Sequence, residues 1–401
     1  MTVLGYEQGF DDTVATTLRN AAPRNRALAE RLADAHLSAG DIYDVASLAN
    51  LPILTKDALL DQQHADPPFG GLLSNGARPR RIFQSPGPIY EPEPVGSDPW
   101  GFGEALEAAG FDESDTVLNA FGYHLSPAGA MFEQACFAVG AVVVPAGVGS
   151  KDLQIAASVD LGATAYVGTP SYLKSLLDHA EATRTKLRYR RAFVTGEPLP
   201  PSLRTSLERQ IAVLREGFGT AETGCLAFEC EAVDGMHVAS GTLVQICDLT
   251  TGQPVYDDRE GQVVVTRADT DYPIVRFGTG DLSAWIQSEC PCGRVTPRLQ
   301  GWLGSVGDAV KVRGMFLHPR QVAGALAGLP GLVDYRLEID RHDHHDRIRL
   351  LVLKAPDAEP DRIGAMVEDR FRNGMRLSCD VEVVNELPGG TERFSDLRAW
   401  S

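Results

Sequence analysis

The chain has 401 residues, 43% of them hydrophobic, which is enough for one large domain and a small one, each with its own core. A formal net charge of −17, with no basic tract to offset it, excludes nucleic acid and an anionic membrane surface as partners. No apolar run approaches about 18 residues, and Met1 to Asp12 mix Gly, Glu, Gln and Asp, so a cytoplasmic protein without a membrane span is expected.

Residues 1–80 carry helical periodicity, with Leu28, Leu32, Ala35 and His36 on one side, and Thr55 or Asp57 placed to cap a further helix. Between Gly70 and Gly103 the composition shifts to Gly, Pro and charge, and a loop is expected there. Short apolar runs then alternate with helix-compatible segments: Thr116–Leu118, Ala141–Val144, Ala165–Val167, Ala192–Val194 and Ile211–Leu214. That alternation predicts βαβ units and a mostly parallel sheet. The run Ile211–Leu214 feeds R-E-G-F-G-T-A-E, read as a turn in which Gly217, Gly219, Thr220 and Glu222 present amides, a hydroxyl and a carboxylate to a ligand.

From about residue 238 to 303 the pattern changes to strands and turns, a small β-rich subdomain within a large domain spanning 1–307. Residues 308–401 read β-α-β-β-α-β, a separable α+β unit of lid size. The expected fold is therefore α/β: βαβ-built sheets with a β-rich subdomain, plus a small C-terminal α+β domain.

Several segments occur in a telling order: L-P-I-L-T-K-D (51–57), N-A-F-G-Y-H-L (119–125), G-T-P-S-Y (168–172), T-G-E-P-L (195–199), G-F-G-T-A-E (217–222), R-F-G-T-G-D (276–281) and V-R-G-M-F-L-H-P (312–319). In this order they resemble the phenylacetate-CoA ligase branch of the adenylate-forming superfamily, over nearly the whole chain. The resemblance implies a ligase that joins an aromatic or other carboxylic acid to AMP from ATP, then passes the acyl group to the thiol of coenzyme A.

Residue by residue, it implies that Gly196, Glu197 and Pro198 border the adenine, and that Phe218, Gly219 and Thr220 hold the base and the AMP phosphate. Glu222 would face Mg²⁺, which takes hard oxygen ligands beside phosphate. Asp281 would accept the ribose hydroxyls. Phe121, Gly122 and Tyr123 would wall the acyl pocket, with His124 as a polar candidate beside them. Without the family order, each of these has a plainer reading as a turn glycine, a capping aspartate or a buried histidine.

The chain departs from the family in three places. The phosphate loop, of the form S-S-G-T-T-G-K-P, is here Ser85-Pro86-Gly87-Pro88-Ile89-Tyr90-Glu91-Pro92, which loses hydroxyls and amide donors and places Glu91 at the lysine. At 304–308, G-S-V-G-D, Ser305 stands for an arginine and Gly307 for an aspartate, while Asp308 remains. The run 387–400 holds no lysine, and Arg393 or Arg398 would be an imperfect stand-in for a compact ammonium. The alternatives to ATP-dependent ligation are ATP-independent acyl transfer between coenzyme A and an acyl carrier protein thiol, and a non-catalytic binding protein. The substrate would be a small carboxylic acid or an acyl thioester, and a symmetric homodimer is the default assembly.

Of seven cysteines, Cys230, Cys290 and Cys292 combine with His237 into a closed set suited to a structural Zn²⁺, pinning the β-rich subdomain against the 217–222 loop. The plainer reading is a buried Cys230 thiol and a reduced C-P-C turn. The tract Arg341-His-Asp-His-His345 is read as a solvated hairpin turn. Cys136, Cys225, Cys247 and Cys379 are read as core thiols, with Cys225 the one to watch as a nucleophile.

Overall fold

Capped, amphipathic helices build the N-terminal region. Asn25 accepts a hydrogen bond from the Leu28 amide (2.9 Å) and so caps the helix Arg26–Asp34, whose Leu28 and Leu32 are buried among Leu18, Leu48 and Leu51. Such a cap contributes about 1 kcal/mol. His36, expected on the same helical face, lies beyond the helix end at φ 57° and is exposed. Thr55, of the two candidate caps, accepts from the Ala58 amide (3.2 Å) and starts the helix Lys56–Ala65.

The computed structural model describes residues 2–85, 88–307, 310–313, 315–317, 319–342, 345–388 and 393–398. The chain forms two compact units, Met1–Leu199 with Arg204–Val306, and Gly307–Ser401 with Pro200–Leu203. In the first, the stretch expected as loop contains an antiparallel hairpin of β1 (Ile82–Gln84) and β2 (Tyr90–Pro92), with Phe83 opposite Glu91. Ile89 packs with Leu54, Leu59 and Phe277, and this apolar anchor closes the hairpin that composition alone does not reveal.

The alternating segment forms β3 (Thr116–Asn119), β4 (Val142–Pro145), β5 (Ala165–Gly168), β6 (Arg191–Val194) and β7 (Val213–Thr220), all paired in parallel. β7 runs on into a hairpin with β8 (Gly224–Phe228), followed by β9 (Met236–Val238). Thus Gly217, Gly219 and Thr220 lie in the strand, and only Ala221–Thr223 form the turn. The glycines serve packing: a Cβ on Gly217 would stand 2.3 Å from the Phe193 ring, and one on Gly219 would stand 2.7 Å from the Gly224 carbonyl.

β10 (Leu243–Cys247), β11 (Gly261–Arg267) and β12 (Ile274–Ser283) form an antiparallel sheet that β15 (Gly304–Ser305) completes. β13 (Trp285–Ile286) and β14 (Arg298–Leu299) instead join the large sheet, whose order is β13-β14-β9-β8-β7-β6-β5-β3-β4. Fully buried Val244, Ile246, Val263, Val265 and Trp285 supply the core here.

In the second unit β16 (Val310–Val312) pairs with β17 (Met315–Leu317) and stays apart from the main sheet. That sheet has the order β20-β19-β18-β21, from β18 (Leu332–His342), β19 (His345–Lys354), β20 (Asp380–Val384) and β21 (Phe394–Asp396). Ile363, Val367 and Phe371 of the helix Pro360–Met375 are buried with Leu337, Ile348 and Leu350 of the sheet. His342 pairs with His345 at the end of the β18–β19 hairpin, while Asp343 and His344 lie outside the described residues.

Candidate active site

Parallel strands of an α/β sheet deliver their following loops to one edge, and ligands bind in the crevice beyond their carboxyl ends. Residues 119–125, 168–172 and 195–199 lie at and after the ends of β3, β5 and β6, residues 217–222 form the end of β7 and its turn, and these strands are neighbours in the sheet. The Thr195 hydroxyl donates to the Gly217 carbonyl (2.6 Å), tying two of the segments together. Glu197, largely buried, accepts from the Ser171 amide (2.6 Å) at the start of the helix Pro170–Ala182, tying in a third. Gly196 has φ 89°, and a Cβ there would meet Thr169 Cγ2 at 3.6 Å and Phe121 Cε1 at 3.8 Å. Gly196, Thr169 and Phe121 therefore meet, and Pro198 follows half-buried.

Phe121 is itself mostly core: its ring stacks on Phe132 with centroids 4.6 Å apart, leaving an edge toward Gly196. The Tyr123 hydroxyl accepts from Asn119 Nδ2 (2.9 Å), and its ring lies so close to Gly129 that a Cβ there would be 2.7 Å away. Gly122 is half-buried and His124 is exposed. The Leu125 carbonyl accepts from the Gln84 amide (2.9 Å), which ties this segment to β1.

At the β7–β8 turn, Thr220 Oγ1 lies 2.8 Å from Thr223 Oγ1 and accepts from the Thr223 amide (3.2 Å). Glu222, 7% exposed, forms an ion pair with Lys56 (3.2 Å). Burial opposes charge on Glu222, but Lys56 and the hydrogen bonds of the turn outweigh it and hold its carboxyl below the usual range. Sequence reading assigned Lys56 no role, although a signal exists: a lysine opening a helix faces the positive end of the dipole, so its place there calls for a partner.

Glu91 is buried on β2 and lines a cleft with Glu222, Arg267 and Tyr272. Neither of its carboxyl oxygens has a hydrogen-bond partner among the described residues. Burial, and after it the Glu222 charge, push its carboxyl well above the usual range, against the pull of Ser85, Lys56 and Arg267. The Ser85 hydroxyl donates to the Ile89 carbonyl (3.3 Å), while Pro86 and Gly87 lie outside the described residues. Of the nearby arginines, Arg81 is bound to Glu93 (Nε to Oε2, 2.9 Å), Arg78 is exposed at the cleft, and Arg267 donates to the Pro99 carbonyl (2.8 Å).

Two residues assigned to the nucleotide sit deeper than their motifs imply. Phe218 is buried with Leu226 and Ala227, so its ring is core, while Gly219 beside it is half-buried. Asp281 has no exposed surface, and its Oδ1 accepts from Trp302 Nε1 (2.9 Å). Cys225 is buried as well, and burial pushes its thiol far up, which removes it as a nucleophile.

Cys230, His237, Cys290 and Cys292 are brought together, with their ligand atoms all within 4.8 Å of one another. Cys230 follows β8, His237 lies on β9, and the C-P-C knuckle enters from the β13–β14 loop, with His237 opposite Arg298 in the β9–β14 pairing. The Cys230 and Cys290 sulfurs are 3.6 Å apart, and Cys292 Sγ is 3.3 Å from His237 Nε2. The edges of a tetrahedral zinc site with Zn–S of about 2.3 Å and Zn–N of about 2.0 Å are roughly 3.8 and 3.5 Å. His237 Nδ1 faces the Thr296 carbonyl at 3.1 Å, which favours a proton on Nδ1 and turns the Nε2 lone pair to the sulfurs. The buried Arg298 braces both arms, donating to the Asp234 carboxylate (2.7 Å) and the Ser288 carbonyl (2.8 Å).

Within this mixed sheet and its strand-end crevice, residues 105–270 match the AMP-binding enzyme family. The chain is 28% identical over 361 residues to the phenylacetate-coenzyme A ligase of Aromatoleum evansii, covering 85% of this chain and 79% of that one. It is 27% identical over 322 residues to that of Thermus thermophilus, covering 76% and 72%. Its fold is shared with a 2-hydroxyisobutyryl-CoA ligase solved with 2-HIB-AMP and CoA, at a TM-score of 0.91 and 21% identity, over 100% of this chain and 91% of the other. The chain thus resembles phenylacetate-coenzyme A ligases over most of its length.

Proposed function

We propose that the protein is an acyl-CoA ligase that joins a carboxylic acid to AMP and then transfers the acyl group to the thiol of coenzyme A. The observation that carries this reading is the convergence of the 119–125, 168–172, 195–199 and 217–222 segments on one strand-end crevice. Likeness to phenylacetate-coenzyme A ligases over most of both chains supports it. In this reading Gly196, Glu197 and Pro198 border the adenine, while Thr220 and the backbone of Phe218 and Gly219 hold the phosphate. Lys56 keeps Glu222 ionised, so that Glu222 offers the hard oxygen that Mg²⁺ prefers. Mg²⁺, when bound, supplies charge neutralisation at the phosphates. Asp281 serves the ribose once Trp302 yields its bond, and the edge of Phe121 with Gly122 and Tyr123 faces an aromatic or alkyl acid. His124, exposed beside them, is a polar contact. The unit Gly307–Ser401 acts as the lid. We assign the protein to the cytoplasm; among the described residues no helix is long and apolar enough to cross a membrane.

The Cys230, His237, Cys290 and Cys292 cluster fits a structural Zn²⁺, since its donors close a tetrahedron and leave no open position. Its chemistry is to cross-link β8, β9 and the β13–β14 loop, which steadies the hairpin that carries Thr220 and Glu222.

Release of AMP from Mg-ATP, measured with a panel of aromatic and aliphatic acids and coenzyme A, tests the reading. The expected result is release that requires both acid and coenzyme A and falls at least about 100-fold in Glu222→Gln. Absence of ATP turnover with retained binding of an acyl-coenzyme A would replace it with ATP-independent thioester transfer.

A further inference from the structure

Glu91 stands at the position of the phosphate-loop lysine, and its surroundings differ from those of a discarded residue drifting into solvent. It is 5% exposed, points into the cleft shared with Glu222, and neither carboxyl oxygen has a partner among the described residues. A carboxyl kept only for packing is normally satisfied within the protein, because an unpaired buried polar group is destabilising. Beside it, Glu222 already holds the Lys56 ammonium on Oε1, and its Oε2 is buried with no partner among the described residues. Two carboxyls at close quarters do not both ionise in a dry site, and the one without the cation keeps the proton.

The charge count of this cluster follows from where that proton sits. With Glu91 protonated, Lys56, Arg267 and Glu222 leave a net positive site; with Glu91 ionised the four groups cancel. At the rim, Glu93 is neutralised by Arg81 and Asp271 faces Arg24 at 3.4 Å, leaving Asp269 and the exposed Arg78 as an opposed pair of charges along the cleft. Tyr272 is neutral, since burial pushes its hydroxyl far up.

We propose that Glu91 binds the nucleotide as a neutral carboxylic acid, its O–H donating to a phosphate oxygen where the family's loop carries a lysine. This rests on the ligase reading above. An acid held neutral so that it can donate is a known device for stabilising negative oxygen. It makes the altered loop compatible with ATP, at the expense of tying nucleotide affinity to one proton: binding is strong while Glu91 holds it and weakens as pH rises through its folded-state value.

The test is calorimetric titration of the full chain with Mg-ATP between pH 6 and 9, in buffers of different ionisation enthalpy. Expected for the native chain is proton uptake on binding at the alkaline end, and affinity falling about tenfold per pH unit above the Glu91 transition. Glu91→Gln, whose amide also donates, should keep the affinity seen at low pH and lose the steep pH slope. An affinity that is flat with pH, or a slope unchanged in Glu91→Gln, overturns the role of Glu91 while leaving the ligase reading intact. No binding at any pH, by either the native chain or Glu91→Lys, fails both. An affinity of the native chain that is flat with pH, without proton uptake, overturns the role even if the variants do not fold.

Discussion

Lys56, the first residue of its helix, reaches Glu222 at the tip of the β7–β8 hairpin, Nζ to Oε1 at 3.2 Å, and this joins the N-terminal helices to the β7–β8 turn. The lysine is only 23% exposed and the carboxylate 5%, so the pair is largely shielded from water. Replacing Lys56 by Met removes the partner of a buried charge. We expect a loss of about 3 kcal/mol in stability and at least a 10-fold fall in acid-dependent AMP release, checked by denaturant unfolding and by product assay. Loss of stability with full activity would confine Lys56 to the fold.

The Glu91 carboxyl, raised by burial and by Glu222, has a consequence for stability without any ligand. Its proton is held more tightly folded than unfolded, so the stabilising contribution is complete below the ordinary carboxylate range. It is lost as pH climbs from that range to the raised folded value, at about 1.4 kcal/mol per pH unit. Glu91→Gln should remove this decline. Urea midpoints of the two proteins at several pH values measure it, and parallel curves would contradict it.

Purified protein should carry one zinc per chain, detectable by elemental analysis. Cys292→Ser, or prolonged chelation, should lower the melting temperature by about 5 °C, as expected for a loss on the order of 3 kcal/mol in a unit of this size. Activity measured well below that transition should persist, because the site has no open position for chemistry. A metal-free native chain with unchanged melting would show the cysteines to be only a reduced knuckle.

Trp302 donates to Oδ1 of Asp281, one of the two carboxylate oxygens that the ribose reading would draw on. Trp302→Phe keeps the ring and deletes the donor, so it should cost about 1–2 kcal/mol in stability and strengthen AMP binding a few-fold, as a ribose hydroxyl replaces the indole. Titration with AMP measures this. Unchanged affinity would place Asp281 outside the nucleotide site.

Arg398 has its side chain fully buried, bound to Asp346 (2.8 Å) and Asp396 (2.8 Å), with Arg341 also on Asp346. Such an arginine ties β21 to the β18–β19 hairpin and cannot swing out as a substitute for a catalytic lysine. Arg398→Ala should destabilise the C-terminal unit by about 3–5 kcal/mol. AMP formation per folded molecule should be unchanged at temperatures where that unit remains folded, and a loss there would restore Arg398 as a candidate.

The parallel strands β3 to β7 were legible because short apolar runs alternate with amphipathic segments, a pattern set by local periodicity. The cysteine and histidine cluster was legible from residue type, since few arrangements make use of three thiols and an imidazole in one region. The β1–β2 hairpin was not, because Gly and Pro dominate its surroundings and its one apolar anchor, Ile89, finds Leu54 and Phe277 only in the folded chain. The long β7 was hidden for a related reason: its glycines look like a turn, yet they are required by Phe193 and by the Gly224 carbonyl of the partner strand.

By itself, the sequence determined the alternation of strands and helices, the helix caps and the order of the motif segments along the chain. Periodicity, capping and motif order are properties of neighbours along the chain. Only the tertiary structure decided the surroundings of individual residues: Glu222 paired with Lys56, the Glu91 carboxyl pushed up by burial and by Glu222, Asp281 bonded by Trp302, Arg398 locked by Asp346. Charge and access depend on burial and on partners remote in sequence, and these exist only once the chain has folded.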